Sequence, residues 1–319
     1  MSRIALHCSH EQIPPSRLLQ AIRRAEQAGF HGGVSSDHFS PWSARQGESG
    51  FAWSFLGAAL ASTELPFGVV NAPGQRYHPA IIAQAAATLT EMFPGRLWLA
   101  LGTGENSNEH ITGDPWPAKE ERNARLRECV NVMRALFDGE EVTHHGRVEV
   151  DRARLYTRPQ QPPPLIGAAV SEVTARWAGS WADGLATVNA PADHLRRMID
   201  AFREGGGPQG PLVLQVHVSW APTEEEALGI AYDQWRTNVF DPPVCWDLAT
   251  IEEFDERARD VTPDQVRRKV LVSSDLQQHI QWLRELADLG FDELALHHVG
   301  QDLDPFIDAF GEHVLPALR

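Results

Sequence analysis

The segment Ser36-Asp37-His38-Phe39-Ser40-Pro41-Trp42 places an acid, an imidazole and an indole side by side just after a short apolar run. His38 beside a carboxylate is equipped to donate or accept a proton near neutral pH, with its tautomer set by a neighbour. Trp42, held by a proline turn, suits stacking on a planar ring. A second segment, Gly102-Thr103-Gly104-Glu105-Asn106-Ser107-Asn108-Glu109, has the same form. Its glycines let backbone approach a ligand closely, Glu105 is a general acid or base, and Asn108 reaches the same ligand. A third, Ala168-Ala169-Val170-Ser171-Glu172, runs from strand to helix. The amides around Ala169, Val170 and Ser171 suit a phosphate at a helix start, although Glu172 would repel an anion there. Each segment also has a structural reading: a satisfied histidine, an ordinary turn with Glu105 complementing a helix dipole, and Ser171 as a plain helix cap.

Such loops need strands to aim them. Short apolar runs at 3–8, 30–35, 66–71, 96–101, 165–169, 185–188, 212–219 and 293–297 are expected strands. Between them lie helical patterns. Pro14-Pro15-Ser16 opens a helix whose Leu18, Leu19, Ile22 and Ala25 share a face and which Gly29 ends. Further helices are expected over 51–62, 79–93, 119–137, 171–181 and 305–318. Arg24–Phe30 and Arg284–Phe291 echo one another, each a helix ending at Gly and passing directly into a strand. Repetition of that joint predicts an α/β fold, a (β/α)8 barrel over residues 1–319, with the three segments at its C-terminal mouth. An open doubly wound sheet is the alternative, disfavoured because no GxGxxG follows the first strand. Residues 143–156 are expected to form an inserted hairpin. Residues 236–270 lack a period and are expected to be a loop insertion serving as lid or pocket wall.

Composition narrows the partners. Lys and Arg total 28 against 43 Asp and Glu, a net charge of −15, which argues against nucleic acid and anionic membrane. Three scattered cysteines without a CxxC give no disulfide framework or zinc knuckle. His7 with His10, His144-His145 and His297-His298 raise a metal-dependent hydrolase, but no HxH follows the first strand, and no metal is expected. No h-region or apolar span is evident, so a cytoplasmic protein is expected.

Taken together, Ser36-Asp37-His38-Phe39-x-Pro41-Trp42, Arg76-Tyr77-His78-Pro79-Ala80, Gly102-Thr103-Gly104-Glu105-x-x-Asn108-Glu109, Trp116-Pro117 and Ala182-Asp183-Gly184 resemble the luciferase-like family of flavin and deazaflavin oxidoreductases. The nearest branch is that of the coenzyme F420-dependent glucose-6-phosphate dehydrogenases. Within it, the chain looks like a subgroup expected to have returned to an ordinary flavin such as FMN. The resemblance implies a barrel with insertions, often a homodimer. It implies that Asp37, Val70, Asn71, Asn108, Ala169, Val170 and Ser171 contact the cofactor. It also implies that His38, Glu105, Trp42 and Glu11 form the catalytic group. Val69-Val70-Asn71 stands where the family has a non-proline cis peptide.

Departures shape the expected chemistry. Val170-Ser171 replaces a glycine pair that cradles the F420 phosphate, and Ala72 replaces a threonine. Sugar-phosphate-binding cations are replaced by Pro191 and by Asp304 or Pro305, leaving Arg268. The expectation is therefore an FMN-dependent oxidoreductase moving hydride to or from a small organic substrate that is not a sugar phosphate, with or without O2. Use of F420, or flavin binding without turnover, is the alternative.

Overall fold

Each barrel strand is short and largely buried on both faces, as parallel strands wrapped by helices must be. The computed structural model describes residues 2–318. Its strands are β1 Arg3–Cys8, β2 Gly32–Ser36, β3 Phe67–Asn71, β4 Leu97–Leu101, β5 Val142–His145, β6 Glu149–Ala153, β7 Leu165–Ala168, β8 Leu185–Val188, β9 Leu212–Ser219, β10 Leu271–Val272 and β11 Glu293–His298. Eight of them, β1-β2-β3-β4-β7-β8-β9-β11, pair in parallel and close when β11 meets β1. This is a (β/α)8 barrel. The hairpin β5–β6 pairs only with itself, and β10 adds to β9.

Helices α1 Pro15–Ala28, α2 Ala52–Ser62, α3 Pro79–Met92, α4 Asn106–Glu109, α5 Lys119–Asp138, α6 Glu172–Gly179 and α7 Ala192–Glu204 alternate with the strands. Gly29 ends α1 and Gly139 ends α5, both at positive φ, where a Cβ would strain the turn. Phe30 still bonds back to Ala25, so β2 starts at Gly32, two residues later than its apolar pattern predicts. The main core lies between the sheet and the helices: Leu18, Ile22, Leu56, Ile82, Met133, Phe202 and Phe306 pack there. The barrel interior is lined by smaller groups, Ala5, Val34, Ala100, Ala186, Val213 and Ala295, with Trp98 across them. Gly68 makes room for that indole, since a Cβ there would meet its ring at 2.0 Å.

After α8 Glu224–Trp235 the chain runs through α9 Val244–Asp247, α10 Ile251–Arg257 and α11 Pro263–Arg267. Thr250 and Glu253 form a capping box on α10. This segment has its own apolar cluster, including Trp235, Val261, Val266 and Val270. It also reaches over the barrel mouth. Asp255 accepts from Ser43 Oγ at 2.6 Å, and Asp247 accepts from Asn106 Nδ2 at 2.9 Å and Trp116 Nε1 at 2.9 Å. Helix α12 Leu276–Ala287 precedes β11. The expected last helix is broken into α13 Asp304–Ala309, a π turn and a final 3-10 turn. Among the described residues no helix is long and apolar enough to cross a membrane.

Candidate active site

Four adjacent strands deliver the polar groups. Glu11 follows β1, Asp37 and His38 follow β2, Asn71 ends β3, and Glu105 caps α4 just after β4. The Asp37 N–H extends the sheet by donating to the Val70 carbonyl at 2.9 Å. The two strand-end loops predicted to carry chemistry therefore face one another at the mouth.

His38 lies between two carboxylates. Its Nδ1 is 2.5 Å from Glu11 Oε1, and its Nε2 is 3.9 Å from Glu105 Oε2. Burial opposes the His38 charge, but Glu11 and then Glu105 outweigh it and hold the imidazole at about 9. Burial opposes the Glu11 charge as well, and His38 overrides it, taking Glu11 to about 2. Glu105 is different: burial pushes it up to about 7, against the pull of His38. At neutral pH the group holds one carboxylate, one imidazolium and one carboxyl poised to take or give a proton. The Trp42 ring packs edge-on against His38 at 5.4 Å and against Phe254 of α10 at 5.3 Å. Trp42 thus joins His38 to the segment over the mouth.

A second charged group lies behind the first. Asp37 accepts from Asn71 Nδ2 at 2.7 Å and from Tyr77 OH at 3.3 Å. Arg76 donates to the Asp37 carbonyl at 2.6 Å, and its Nη2 lies 3.8 Å from Asp37 Oδ2. The Arg76 N–H donates to Glu109 Oε2 at 2.7 Å. Burial raises Asp37 above the usual carboxylate range despite Arg76. The Arg76-Tyr77-His78 motif does not by itself give Arg76 a role. The signal that assigns one is that two buried acids require a cation.

Asn108 acts as a clamp. Its Oδ1 accepts from the N–H groups of Phe39 at 2.8 Å and Ser40 at 3.3 Å, and its Nδ2 donates to Glu105 at 3.3 Å. Val70, Asn71, Asn108, Ala169 and Val170 line the same cavity as His38. Ser171 caps α6, accepting from the Thr174 N–H at 3.3 Å, and is not part of the cavity wall. The expected non-proline cis peptide at Val69-Val70-Asn71 is corrected: the cis bonds among the described residues are Gly210–Pro211 and Pro242–Pro243. Here β3 keeps regular pairing with β2 and β4 up to Asn71.

The cavity holds about 550 Å³. Its far wall was missed by sequence reasoning as a binding surface: His7 on β1, Gln215 and His217 on β9, His297 on β11, and Trp235. Leu296 pairs with Val216 and His297 with His217, so register puts the imidazoles in one layer. His7 stacks on His297 at 4.4 Å. The period-2 alternation of Gln215 and His217 was the available signal. Among the described residues no three His, Cys, Asp or Glu side chains converge as metal ligands would.

Residues 1–293 match the model of the luciferase-like monooxygenase family. The chain belongs to that family. Within it, the chain is 35% identical to an F420-dependent glucose-6-phosphate dehydrogenase of Nakamurella multipartita, over 99% of this chain and 96% of that one. It is also 35% identical to the protein of the same name from Intrasporangium calvum, over 100% and 99%. Among solved structures, an F420-dependent secondary alcohol dehydrogenase in complex with an F420-acetone adduct superposes with a TM-score of 0.92. It is 30% identical, over 100% and 99% of the two chains. The F420-dependent tetrahydromethanopterin reductase from Methanopyrus kandleri shares the fold, with a TM-score of 0.79 at 19% identity over 100% and 99%. This luciferase-like chain is therefore an oxidoreductase.

Two expectations are corrected by these relatives. FMN as cofactor, with or without O2, gives way, because the full-length relatives are named for F420. The physical ground for FMN was the lost glycine pair. Neither Val170 nor Ser171 has a positive φ, so this backbone path does not require glycine. The exclusion of a sugar phosphate likewise conflicts with relatives named for glucose 6-phosphate. It rested on lost cations, Pro191 and Asp304 among them. Pro191 caps α7, and Asp304 lies near Arg17. The cavity wall nevertheless carries Lys119 and Lys269, the latter 2.7 Å from Asp241.

Proposed function

We propose that this luciferase-like chain is a coenzyme F420-dependent dehydrogenase that converts a hydroxyl-bearing carbon to a carbonyl. The observation that carries the reading is the Glu11–His38–Glu105 series at the mouth of a cavity large enough for a tricyclic ring and a small substrate. The site fits such a ring on a second count. Asn71 Oδ1 is buried on the cavity wall without a partner, an acceptor that a ring N–H would satisfy. Asp37, Val70, Asn71, Ala169 and Val170 would hold the cofactor, with Asn108 and Ser171 fixing the loops around it.

F420, when bound, supplies the hydride acceptor; the protein supplies orientation and the proton path. His38 is held charged by Glu11, and its Nε2–H donates to the substrate oxygen. Glu105, titrating near neutrality, takes the hydroxyl proton. Trp42 and the segment over the mouth exclude water from the reacting atoms.

The test is direct. F420 is added to the purified protein and binding is followed by fluorescence; then 2-propanol or glucose 6-phosphate is added and bleaching of the oxidised deazaflavin is followed. Binding followed by bleaching is expected. A protein that ignores F420 overturns the reading.

A further inference from the structure

A chain of hydrogen bonds fixes the tautomer of His217. It starts at the Val299 carbonyl, which only accepts. Gln12 Nε2 donates to it at 2.6 Å and gives its other hydrogen to Gln234 Oε1 at 3.1 Å. The Gln12 amide is thereby oriented, and its Oε1 faces His297 Nε2 at 2.9 Å. An amide oxygen cannot donate, so His297 carries its hydrogen on Nε2. A neutral imidazole has only one N–H, which leaves His297 Nδ1 as an acceptor. The atom facing it at 3.3 Å is Gln215 Nε2, a donor. That same amide nitrogen lies 3.1 Å from His217 Nε2 and places its second hydrogen there. His217 Nε2 therefore accepts, and His217 carries its own hydrogen on Nδ1.

Both imidazoles are neutral. Burial takes His217 down to about 3 and His297 well below the ordinary histidine range. Among the described residues His217 Nδ1 has no partner. Its ring lies against Trp235 at 4.7 Å and lines the cavity, and its backbone N–H is held by Asn189 Oδ1 at 3.0 Å. Strand β9 stands opposite β3 in the eight-strand ring, and His217 and Asn71 both line the cavity.

We propose that His217 Nδ1–H is a fixed, uncharged hydrogen-bond donor for a second oxygen of the substrate, distinct from the oxygen handled by His38 and Glu105. The inference rests on the dehydrogenase reading and deepens it. An uncharged donor on a neutral relay matches a hydroxyl or carbonyl oxygen. The favoured substrates are those with oxygen on at least one further carbon, such as polyols, sugars and hydroxycarbonyl compounds, over monofunctional alcohols.

Two measurements test it. The first is kinetic, with F420 and 2-propanol, 1,2-propanediol or glucose 6-phosphate. His217→Phe is expected to raise KM for the two polyoxygenated substrates about tenfold relative to KM for 2-propanol. His217→Asn, whose amide N–H stands in for Nδ1–H, is expected to recover most of that ratio. Gln215→Leu, which releases the tautomer, is expected to fall between. An unchanged ratio overturns the assignment, and so does weakened F420 binding with the ratio intact. No bleaching by any of the three in the wild type overturns the dehydrogenase reading instead. The second measurement needs no cofactor: nitrogen NMR of histidine-labelled protein. His217 is expected protonated at Nδ1 and His297 at Nε2, with Gln215→Leu mixing the His217 forms. A wild-type His217 protonated at Nε2 overturns the proposal.

Discussion

Glu11 Oε1 and His38 Nδ1 meet at 2.5 Å, and this contact leaves Nε2 as the nitrogen of His38 that faces Glu105. Ser9 Oγ donates to the other Glu11 oxygen at 2.8 Å, so the carboxylate cannot rotate away without losing a buried bond. Order at β1 is thereby passed to His38 Nε2 beyond β2.

The pH profile of kcat/KM for hydroxyl oxidation follows from the two free groups. Glu105 must have lost its proton to act as base, which sets an acid limb near its value of about 7. His38 must keep its proton to donate, which sets an alkaline limb near about 9. A bell between these limbs is expected. Glu105→Gln is expected to abolish the acid limb and lower kcat by about 10²- to 10⁴-fold.

Glu11→Gln removes the largest influence holding His38 charged and leaves Glu105 alone to oppose burial. The imidazole then loses its proton more readily, and the alkaline limb moves to lower pH. Turnover at neutral pH is expected to drop with it. A limb that stays near its wild-type position in the variant means Glu11 does not set the charge of His38.

Acid stability is governed by the buried imidazoles. His7 and His10 are lowered to about 4, and His217 and His298 to about 3, in each case chiefly by burial. Their unfolded forms bind protons below the ordinary histidine value of 6.5, and their folded forms do not until pH falls much further. Between pH 6.5 and about 4 the unfolded state therefore holds more protons, and stability falls as pH falls. Each fully protonating histidine contributes a slope of about 1.4 kcal/mol per pH unit. Melting temperature is expected to drop steeply from pH 6.5 to 5, and His298→Asn is expected to flatten the drop.

Arg76 is the shared counter-ion of Asp37 and Glu109, and its side chain is almost wholly buried. Arg76→Met strands both carboxylates and is expected to cost about 3 to 5 kcal/mol in urea unfolding. The double change with Asp37→Asn is expected to recover part of that loss. A cost near zero for Arg76→Met means the two acids are already protonated in the folded protein.

The mouth of the barrel was legible because strand ends and Gly-ended helices are local patterns. Asp37, His38 and Glu105 were found in the loops where period and composition placed them. The far wall was not legible. His7, His217 and His297 lie in one layer only because β1, β9 and β11 pair in a particular register, and register is set by the whole closed sheet. Arg76 escaped for a similar reason, since its partners lie on two other loops. The cofactor expectation failed because it rested on one two-residue departure, Val170-Ser171 narrowing the approach of a phosphodiester to the backbone, whereas the relatives named for F420 match along the whole chain.

Closure of the ring has a consequence for biosynthesis. Strand β1 finds its second neighbour only in β11, and Gln12 and His7 find theirs at Val299 and His297. Segment 236–270 fastens to loops made some two hundred residues earlier, as Ser43 and Asp255 show. While the ribosome is still adding residues before 300, the nascent barrel has an open seam along β1 and a cavity missing one wall. A chain truncated before β11 leaves β1 without its second neighbour, and His7 and Gln12 without their partners at the cavity.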